Sequence, residues 1–307
     1  MRTVPQGSFR LAQVAGIDLY FHWSWFLFAG YEISRRRSSY SSLTWNIAEY
    51  LGLFLIVLLH EFGHALACRQ VGGTADRIVL WPLGGVAYVS PPQRPGATLW
   101  SIAAGPLVNV ALLPVLIFLS GVSGTLGGAA AMPDAHQLAQ SLLFLNRWLL
   151  ILNLLPIYPL DGGQILRSLL WFALGRARSL MATVIVGFVG VAGMILLAVL
   201  TRSAWFGIIA AFILMNCWGG LRQAQALARR AKLPRREGFA CPSCNAAPLV
   251  ARIWICDRCQ TRFDPFETRA LCPGCGVRHE KTACPECGGS YPFSEWFAPA
   301  LVNSRHT

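Results

Sequence analysis

The sequence predicts an all-α polytopic membrane protein that carries a small cysteine-rich domain at its C-terminal end. Of its 307 residues, 54% are hydrophobic and only 13% are charged, whereas soluble domains carry about 25% charged residues. The first 221 residues hold 13 basic and 7 acidic side chains, and the last 86 residues hold the same numbers. The sparsely charged part is typical of a membrane-embedded core, and the densely charged part is typical of a water-soluble appendage.

Six apolar segments are candidates for membrane-spanning helices, which need about 20 mostly apolar residues each. They are Ile17–Tyr31, Tyr50–Gln70, Leu99–Leu119, Leu138–Ile157, Leu180–Leu200 and Trp205–Leu221. The first segment is short and contains His22, and the fourth contains Arg147, which must reach an interface or face protein or water. Between the second and third segments, Arg77–Ser90 has the composition of a strand and predicts a short membrane-associated β segment.

Basic residues are distributed unequally between the two sides of the membrane that six spans define. One side contains the N-terminus, every second loop and the tail, which is counted to residue 236. That side holds 14 basic residues, and the other side holds 4. The positive-inside rule therefore predicts a multi-pass protein of the plasma membrane with both termini in the cytosol. Residues 222–240 form a basic juxtamembrane linker, a position that favours the lipid bilayer over nucleic acid as the partner of the +12 net charge.

The second apolar segment contains the motif His60-Glu61-Phe62-Gly63-His64. Positions i and i+4 of a helix are about 40° apart, so both imidazoles face one side and can bind the same metal ion. Glu61 lies about 100° round the helix and can reach a metal-bound water without being a ligand. Zinc lowers the pKa of such a water to about 7, and a carboxylate can take its proton as the water attacks a carbonyl. Three ionisable groups in lipid are costly unless they are paired, which disfavours a chance occurrence of the motif.

A catalytic zinc site needs a third protein ligand and an open fourth position. The candidate is Asp161, which ends the stretch NLLPIYPLD at 153–161 and precedes two glycines. Two prolines break the helix here, and irregular backbone at membrane depth is tolerated only where it is buried in protein or lines a wet cavity. The alternative is that Asp161 caps the helix predicted for Gln164 to Leu174. A zinc transporter, the other use of such ligands, would need more acidic or histidine residues in the remaining spans.

Together these residues resemble the site-2 protease family of intramembrane zinc metalloproteases. The resemblance covers about residues 15–221 and rests on HEFGH at 60–64, GPLVN at 105–109 and NLLPIYPLDGG at 153–163, with support from PLGGV at 82–86. It implies that His60, His64 and Asp161 bind one catalytic zinc ion and that Glu61 is the catalytic base. It also implies regulated intramembrane proteolysis, in which a peptide bond in or near the transmembrane segment of a single-pass membrane-protein substrate is cleaved.

Five further residues are candidates for contacting the substrate or the developing oxyanion. Asn153 and Asn109 are polar groups in apolar helices, where they either hydrogen-bond neighbouring helices or hold the substrate. His22 either faces the site or lies at the membrane interface beside two tryptophans. Gly84 and Gly85 belong to the predicted strand, whose edge is available to pair with an extended substrate.

Eight of the ten cysteines form four C-x-x-C pairs, which predict a zinc-ribbon domain over residues 241–307. The inferred cytosolic location is reducing and therefore favours zinc thiolates over disulfides. Sequential pairing predicts two structural zinc ions, one bound by Cys241, Cys244, Cys256 and Cys259 and the other by Cys272, Cys275, Cys284 and Cys287. A cross-braced arrangement of the four pairs is the alternative.

The complete prediction is a transmembrane metalloprotease core over residues 1–221, the linker 222–240 and the double zinc ribbon, with three zinc ions per chain. The alternative functions are a non-catalytic zinc-containing membrane binding protein and a zinc transporter.

Overall fold

The computed structural model describes residues 7–35, 39–81, 84–125 and 128–297. Its chain divides into two compact units. The first comprises the chain up to Pro91 together with Pro95–Leu221, and the second comprises Pro92–Arg94 together with the chain from Arg222 onward. The division into three domains at 221 and 240 stays a prediction.

The first unit is mostly helical. Its helices, the last of which continues into the second unit, are α1 Ser24–Arg35, α2 Leu43–Gln70, α3 Pro95–Thr125, α4 Gly128–Ala131, α5 Pro133–Leu154, α6 Asp161–Thr201 and α7 Ala204–Ala231. Among the described helices, three are long and apolar enough to cross a membrane: α2, the part of α3 up to Gly124, and α6. Helix α6 is broken at Gly175, whose φ of 76° and ψ of 171° are not helical. The total of six spans therefore stays a prediction.

A four-stranded sheet accompanies these helices. Its strands are β1 Ser8–Val14, β2 Ile17–His22, β3 Thr74–Trp81 and β4 Gly84–Ser90, and they lie in that order across the sheet. The pair β1–β2 is antiparallel, β2–β3 is parallel and β3–β4 is antiparallel. The β segment predicted over Arg77–Ser90 corresponds to β3 and β4. The all-α class is thus corrected to a mostly helical unit with a sheet.

The predicted first span, Ile17–Tyr31, is wrong as a single helix. Its first six residues form β2, which lies between β1 and β3 and is buried over Ile17–Tyr20. A strand buried on both faces gives a continuous apolar run, which periodicity alone cannot distinguish from a helix. The helix that follows, α1, has 12 residues and is shorter than the roughly 20 that a span requires. Within β2, Asp18 pairs with Arg10 of β1 at 2.6 Å.

The sheet packs against α2, and this packing fixes the position of the middle of that helix. The shared core contains side chains from β2, α1, α2 and β3, namely Ile17, Leu19, Trp25, Val57, Ala65, Ala75, Ile78 and Leu80. Burial of this apolar surface is the main force that holds helix and sheet together. The motif at 60–64 lies between two of the core residues of α2, so this packing places the motif beside the sheet.

The second unit contains two short hairpins and an aromatic core. Strand β5 Trp254–Ile255 pairs with β6 Arg262–Phe263, and β7 Lys281–Ala283 pairs with β8 Ser290–Pro292. A 3-10 helix, Phe293–Trp296, follows β8 and buries Trp296 completely. The core around Trp296 includes Phe266 and two cysteines, so its aromatic packing is continuous with one of the cysteine clusters.

Candidate metal centre

Three side chains of the first unit converge on one point. Helix α2 supplies His60 and His64, and Asp161 is the first residue of α6. The two Nε2 atoms lie 3.1 Å apart, and Asp161 Oδ2 lies 3.0 Å from His60 Nε2 and 3.4 Å from His64 Nε2. The structure therefore brings together the three residues that the sequence analysis singled out as metal-ligand candidates.

The spacing of these atoms suits one zinc ion. Two ligand atoms that each lie 2.0–2.1 Å from a tetrahedral ion are about 3.3 Å apart, and the three distances here are 3.0, 3.1 and 3.4 Å. Asp161 Oδ2 is buried and receives no hydrogen bond within the described residues. A buried carboxylate oxygen is costly unless it is paired or binds a metal, so the donor set fits the ion.

Asp161 does not cap a helix. The N-cap position of α6 is Leu160, which makes no side-chain capping bond, and the Asp161 carboxylate points at the imidazoles instead. The chain folds tightly on itself before α6, because a Cβ at Gly163 would lie 2.6 Å from the main chain of Ile157 and Tyr158. The two glycines after Asp161 therefore allow the broken helix to turn the carboxylate towards α2.

Both imidazoles are held by groups of α3 through their second nitrogen. His60 Nδ1 lies 2.5 Å from Asn109 Oδ1, and His64 Nδ1 lies 2.9 Å from the main-chain oxygen of Ser101. Asn109 Nδ2 in turn donates to Asn146 Oδ1 of α5 at 2.7 Å. Such contacts orient metal-binding histidines and leave Nε2 free to bind the ion.

Glu61 is positioned by the sheet. Its Oε2 accepts a 2.7 Å hydrogen bond from the main-chain N–H of Ala87 in β4, and its side chain is buried. A Cβ at Gly85 would lie 2.6 Å from Glu61 Cδ, whereas a Cβ at Gly84 would meet nothing within 4 Å. Of the two glycines selected from the sequence, Gly85 therefore lies against Glu61 and Gly84 does not.

The other candidates lie in different surroundings. Asn109 is fully buried and contacts His60, so it lies directly behind one of the proposed metal ligands. His22 ends β2, where its ring stacks on Trp81 at 4.1 Å and its Nδ1 lies 2.5 Å from Ser24 Oγ. Asn153 is half-buried near the end of α5. Substrate contacts by His22, Asn109 and Asn153 stay predictions.

Sequence reasoning missed four contributors: Ser101, Gly105, Asn146 and the main chain of Ala87. Asn146 carried a signal, because it precedes Asn153 by seven residues and so lies on the same face of an apolar helix. Gly105 was noted only as part of GPLVN. Ser101 and Ala87 act through main-chain atoms, which no side-chain pattern reveals.

In the second unit the eight paired cysteines form two clusters, but not in the predicted combination. One cluster contains Cys241, Cys244, Cys284 and Cys287, and the other contains Cys256, Cys259, Cys272 and Cys275. Four sulfurs around a tetrahedral zinc ion lie about 3.8 Å apart. The observed Sγ–Sγ distances are 3.7 Å for Cys241–Cys287, Cys244–Cys284 and Cys256–Cys275 and 3.4 Å for Cys259–Cys272. Both clusters therefore fit a zinc ion.

The sequential pairing is wrong, and so is the cross-braced alternative, because the two clusters are nested. The first pair meets the last since the segments that flank the four pairs are joined: Ala240 N donates to Trp296 O at 2.8 Å, and Phe239 bridges to Phe297. The second and third pairs are then left to form the inner cluster. Pair spacing in the sequence does not reveal which segments the tertiary fold brings together.

One thiol of the inner cluster is acidic. Hydrogen bonds from the hydroxyl and the main chain of Thr261 lower the pKa of Cys259 to about 6. Because the thiolate is the form that binds metal, Cys259 is in its binding form at neutral pH.

Comparisons with known proteins agree with this geometry. The sequence model of peptidase family M50 matches residues 48–132 and 119–197. The chain is 32% identical over 172 residues to a zinc metalloprotease of Methanocaldococcus jannaschii, and the aligned region covers 56% of this chain and 48% of that protein. It is 37% identical over 127 residues to stage IV sporulation protein FB of Bacillus subtilis, and this aligned region covers 40% of this chain and 41% of that protein. The chain thus spans less than half the length of these two curated relatives.

A solved structure is similar as well. The site-2 protease from Methanocaldococcus jannaschii matches with a TM-score of 0.50 and 27% identity, over 70% of this chain and 95% of that one. The family match includes His60, His64 and Asp161, which are the residues that converge here. The chain belongs to peptidase family M50, the site-2 protease family.

Proposed function

We propose that this protein is an intramembrane zinc metalloprotease that hydrolyses a peptide bond in or near the transmembrane segment of a single-pass membrane protein. The observation that carries the proposal is the convergence of His60, His64 and Asp161 at zinc-ligand spacing, with Glu61 adjacent on α2. Both helices that supply these residues, α2 and α6, are long and apolar enough to cross a membrane. The site would therefore act on a peptide bond at membrane depth.

Each residue has a separate role in the proposed reaction. His60, His64 and Asp161 would hold the metal, which when bound polarises the scissile carbonyl and lowers the pKa of an attacking water. Glu61 takes a proton from that water and gives it to the leaving amine. The Ala87 N–H holds Oε2 of Glu61, so Oε1 is the oxygen left to hold the proton. Asn153, half-buried near the end of α5, is proposed to hold the substrate main chain or the oxyanion.

We propose that the substrate pairs with the edge of β4. A helical substrate must become extended before its peptide bond can reach the site, and unpaired main chain is costly in lipid. β4 is the outermost strand of the described sheet next to β3, and its Ala87 N–H points towards Glu61. An extended segment added at this edge would offset the cost of unfolding the helix and lie beside the base.

The remaining parts of the proposal concern metal content and orientation. We propose three zinc ions per chain, one catalytic and two structural, which the ligand spacing in all three clusters supports. The excess of basic residues in the N-terminal segment, alternate loops and tail supports an orientation in the plasma membrane with both termini cytosolic. Cytosolic thiols are kept reduced, which is compatible with the proposed zinc thiolates.

The Glu61→Gln variant tests this function. It should keep three zinc ions per chain and lose cleavage by about 10²–10⁴-fold, the usual contribution of a general base. The substrate to use is a single-pass protein that co-purifies with Glu61→Gln, reconstituted with the wild-type chain in liposomes. His64→Ala is the matched control and should lose one zinc ion as well as cleavage.

The alternatives give different results in the same experiment. If the protein were a zinc transporter, both the wild type and Glu61→Gln would carry zinc into the liposomes at similar rates. If it were a non-catalytic binding protein, the wild type would bind its single-pass partner without cleaving it. Cleavage by Glu61→Gln at the wild-type rate would refute the proposed role of this residue.

A further inference from the structure

A series of hydrogen-bonded, buried polar groups connects α5 to the metal centre. His60 Nδ1 contacts Asn109 Oδ1 at 2.5 Å, and Asn109 Nδ2 donates to Asn146 Oδ1 at 2.7 Å. Asn146 Nδ2 donates back to the main-chain oxygen of Asn109 at 3.0 Å. Both asparagines are fully inaccessible to solvent. The three residues come from α2, α3 and α5 and form one continuous relay.

The donors and acceptors of this relay can be arranged in only one order, because its last group, the main-chain oxygen of Asn109, can accept a hydrogen bond but cannot donate one. The main-chain oxygen of Asn109 requires the amide N–H of Asn146, so Asn146 turns its Oδ1 to the Asn109 side chain. The Asn109 amide must then present Nδ2 to Asn146 and Oδ1 to His60. His60 therefore carries its proton on Nδ1, and its Nε2 presents a lone pair towards Asp161 and the metal position.

His64 is held in a different way. Its Nδ1 faces the main-chain oxygen of Ser101, which cannot exchange donor for acceptor. Only His60 depends on a side-chain amide, and an amide that turned by 180° would present N–H groups to Nδ1. The proton would then be forced to Nε2, where it blocks metal binding.

We propose, on the basis of the zinc centre described under the proposed function, that Asn146 is a positioning residue. It locks the Asn109 amide in one orientation and thereby fixes the tautomer of His60 that binds zinc. Asn146 itself touches neither metal nor substrate. Residues that orient metal ligands in this way typically contribute about 10–100-fold to metal affinity.

Two variants of Asn146 separate positioning from packing. Asn146→Leu removes both hydrogen bonds at similar volume and should weaken zinc binding about 10–100-fold. Asn146→Asp, which is expected to be neutral in such a buried site, keeps an acceptor for Asn109 Nδ2 and offers an O–H to the Asn109 main-chain oxygen, so it should stay close to the wild type. If Asn146 only filled space, the order would be reversed, because a buried polar group costs more than leucine. Thr183→Val, which removes one buried hydrogen bond from α6, is the control and should bind zinc normally.

A rescue variant makes the test independent of folding. In an Asn109→Asp background both side-chain oxygens accept, so its orientation no longer matters and Asn146→Leu should cost less than about threefold. The measurement is zinc competition with a chelator on the full-length chain, with the two cysteine clusters subtracted by means of a His60→Ala, His64→Ala variant. A second readout is the visible absorption of Co²⁺ loaded into the membrane site, which should change in Asn146→Leu and return in the double variant.

The outcomes are distinct. A wild-type chain that binds no metal beyond the cysteine clusters would overturn the proposed function together with this inference. A wild-type chain that binds the third metal, with Asn146→Leu equal to it in affinity and Co²⁺ spectrum, would overturn the role of Asn146 alone. Loss of affinity that the Asn109→Asp background does not restore would also overturn it, since the effect would then be structural.

Discussion

Gly105 of α3 leaves the space that the proposed zinc ion needs. A Cβ at this position would lie 2.8 Å from His60 Nε2 and still closer to His64 Nε2 and Cε1. Ordinary contacts begin at about 3.4 Å, so the His60 ring would have to move by roughly 0.6 Å and the His64 ring by more. Ligand distances at a metal site tolerate about 0.2 Å. Gly105→Ala should therefore prevent both rings from binding one ion.

We expect Gly105→Ala to weaken zinc binding at the membrane site by more than about 100-fold, beyond the usual effect of disturbing a residue that only orients a ligand. The chain should still fold, because alanine is favoured over glycine inside a helix by roughly 0.5–1 kcal/mol. Zinc analysis of the purified variant should give two ions per chain, both in the cysteine clusters, and cleavage should be lost. Gly121→Ala, on the same helix with nothing within 4 Å of the new Cβ, is the control. Three ions per chain in Gly105→Ala, bound as tightly as in the wild type, would refute the described geometry.

Three further predictions concern the base, the cysteine clusters and a buried ion pair. Gly85→Ala should displace Glu61 and lower cleavage at least about tenfold, while zinc analysis still gives three ions. Cys244→Ser combined with Cys284→Ser should cost one zinc ion by the same analysis, because the nested clusters place both cysteines at one site. Asp264→Ala should destabilise the second unit by about 3 kcal/mol in denaturant unfolding, since it leaves a guanidinium without its buried partner.

Each of these predictions has a control or an opposite outcome. Gly193→Ala, whose Cβ would meet nothing within 4 Å, should cleave normally, and equal cleavage by Gly85→Ala would contradict the placement of Glu61. Loss of two zinc ions in the double cysteine variant would restore the sequential or cross-braced pairing. Arg236 pairs with Asp264 at 2.6 Å, so Arg236→Ala should lower the free energy of unfolding by a comparable amount. If neither variant changed this free energy, the ion pair would contribute nothing to stability.

The sequence was most informative where local spacing decides the structure. His60 and His64 share a face because they lie one helical turn apart. The broken segment before Asp161 left a metal ligand and a helix cap as alternatives, and the third ligand that the motif requires favoured the ligand. The sequence was least informative where distant segments decide. Strand β2 lies inside the sheet between β1 and β3 and is buried over Ile17–Tyr20, so its mostly apolar sequence resembles the start of a span. The nested cysteine clusters likewise depend on contacts between the two segments that flank the four cysteine pairs.

Helices α2 and α3 have complementary patterns at the metal centre, and this explains why the motif on α2 alone was an incomplete guide. Ser101, Gly105 and Asn109 lie four residues apart on one face of α3, opposite the two histidines of α2. Ser101 meets His64, Asn109 meets His60, and Gly105 lies between them. The polar groups of α3 can reach the rings only because the helices approach closely, since a Cβ at Gly63 would lie 2.7 Å from the carbonyl oxygen of Ala104. A chain that keeps HExxH but has a larger residue at the position of Gly105 should therefore be unable to hold the ion, whatever its remaining ligands.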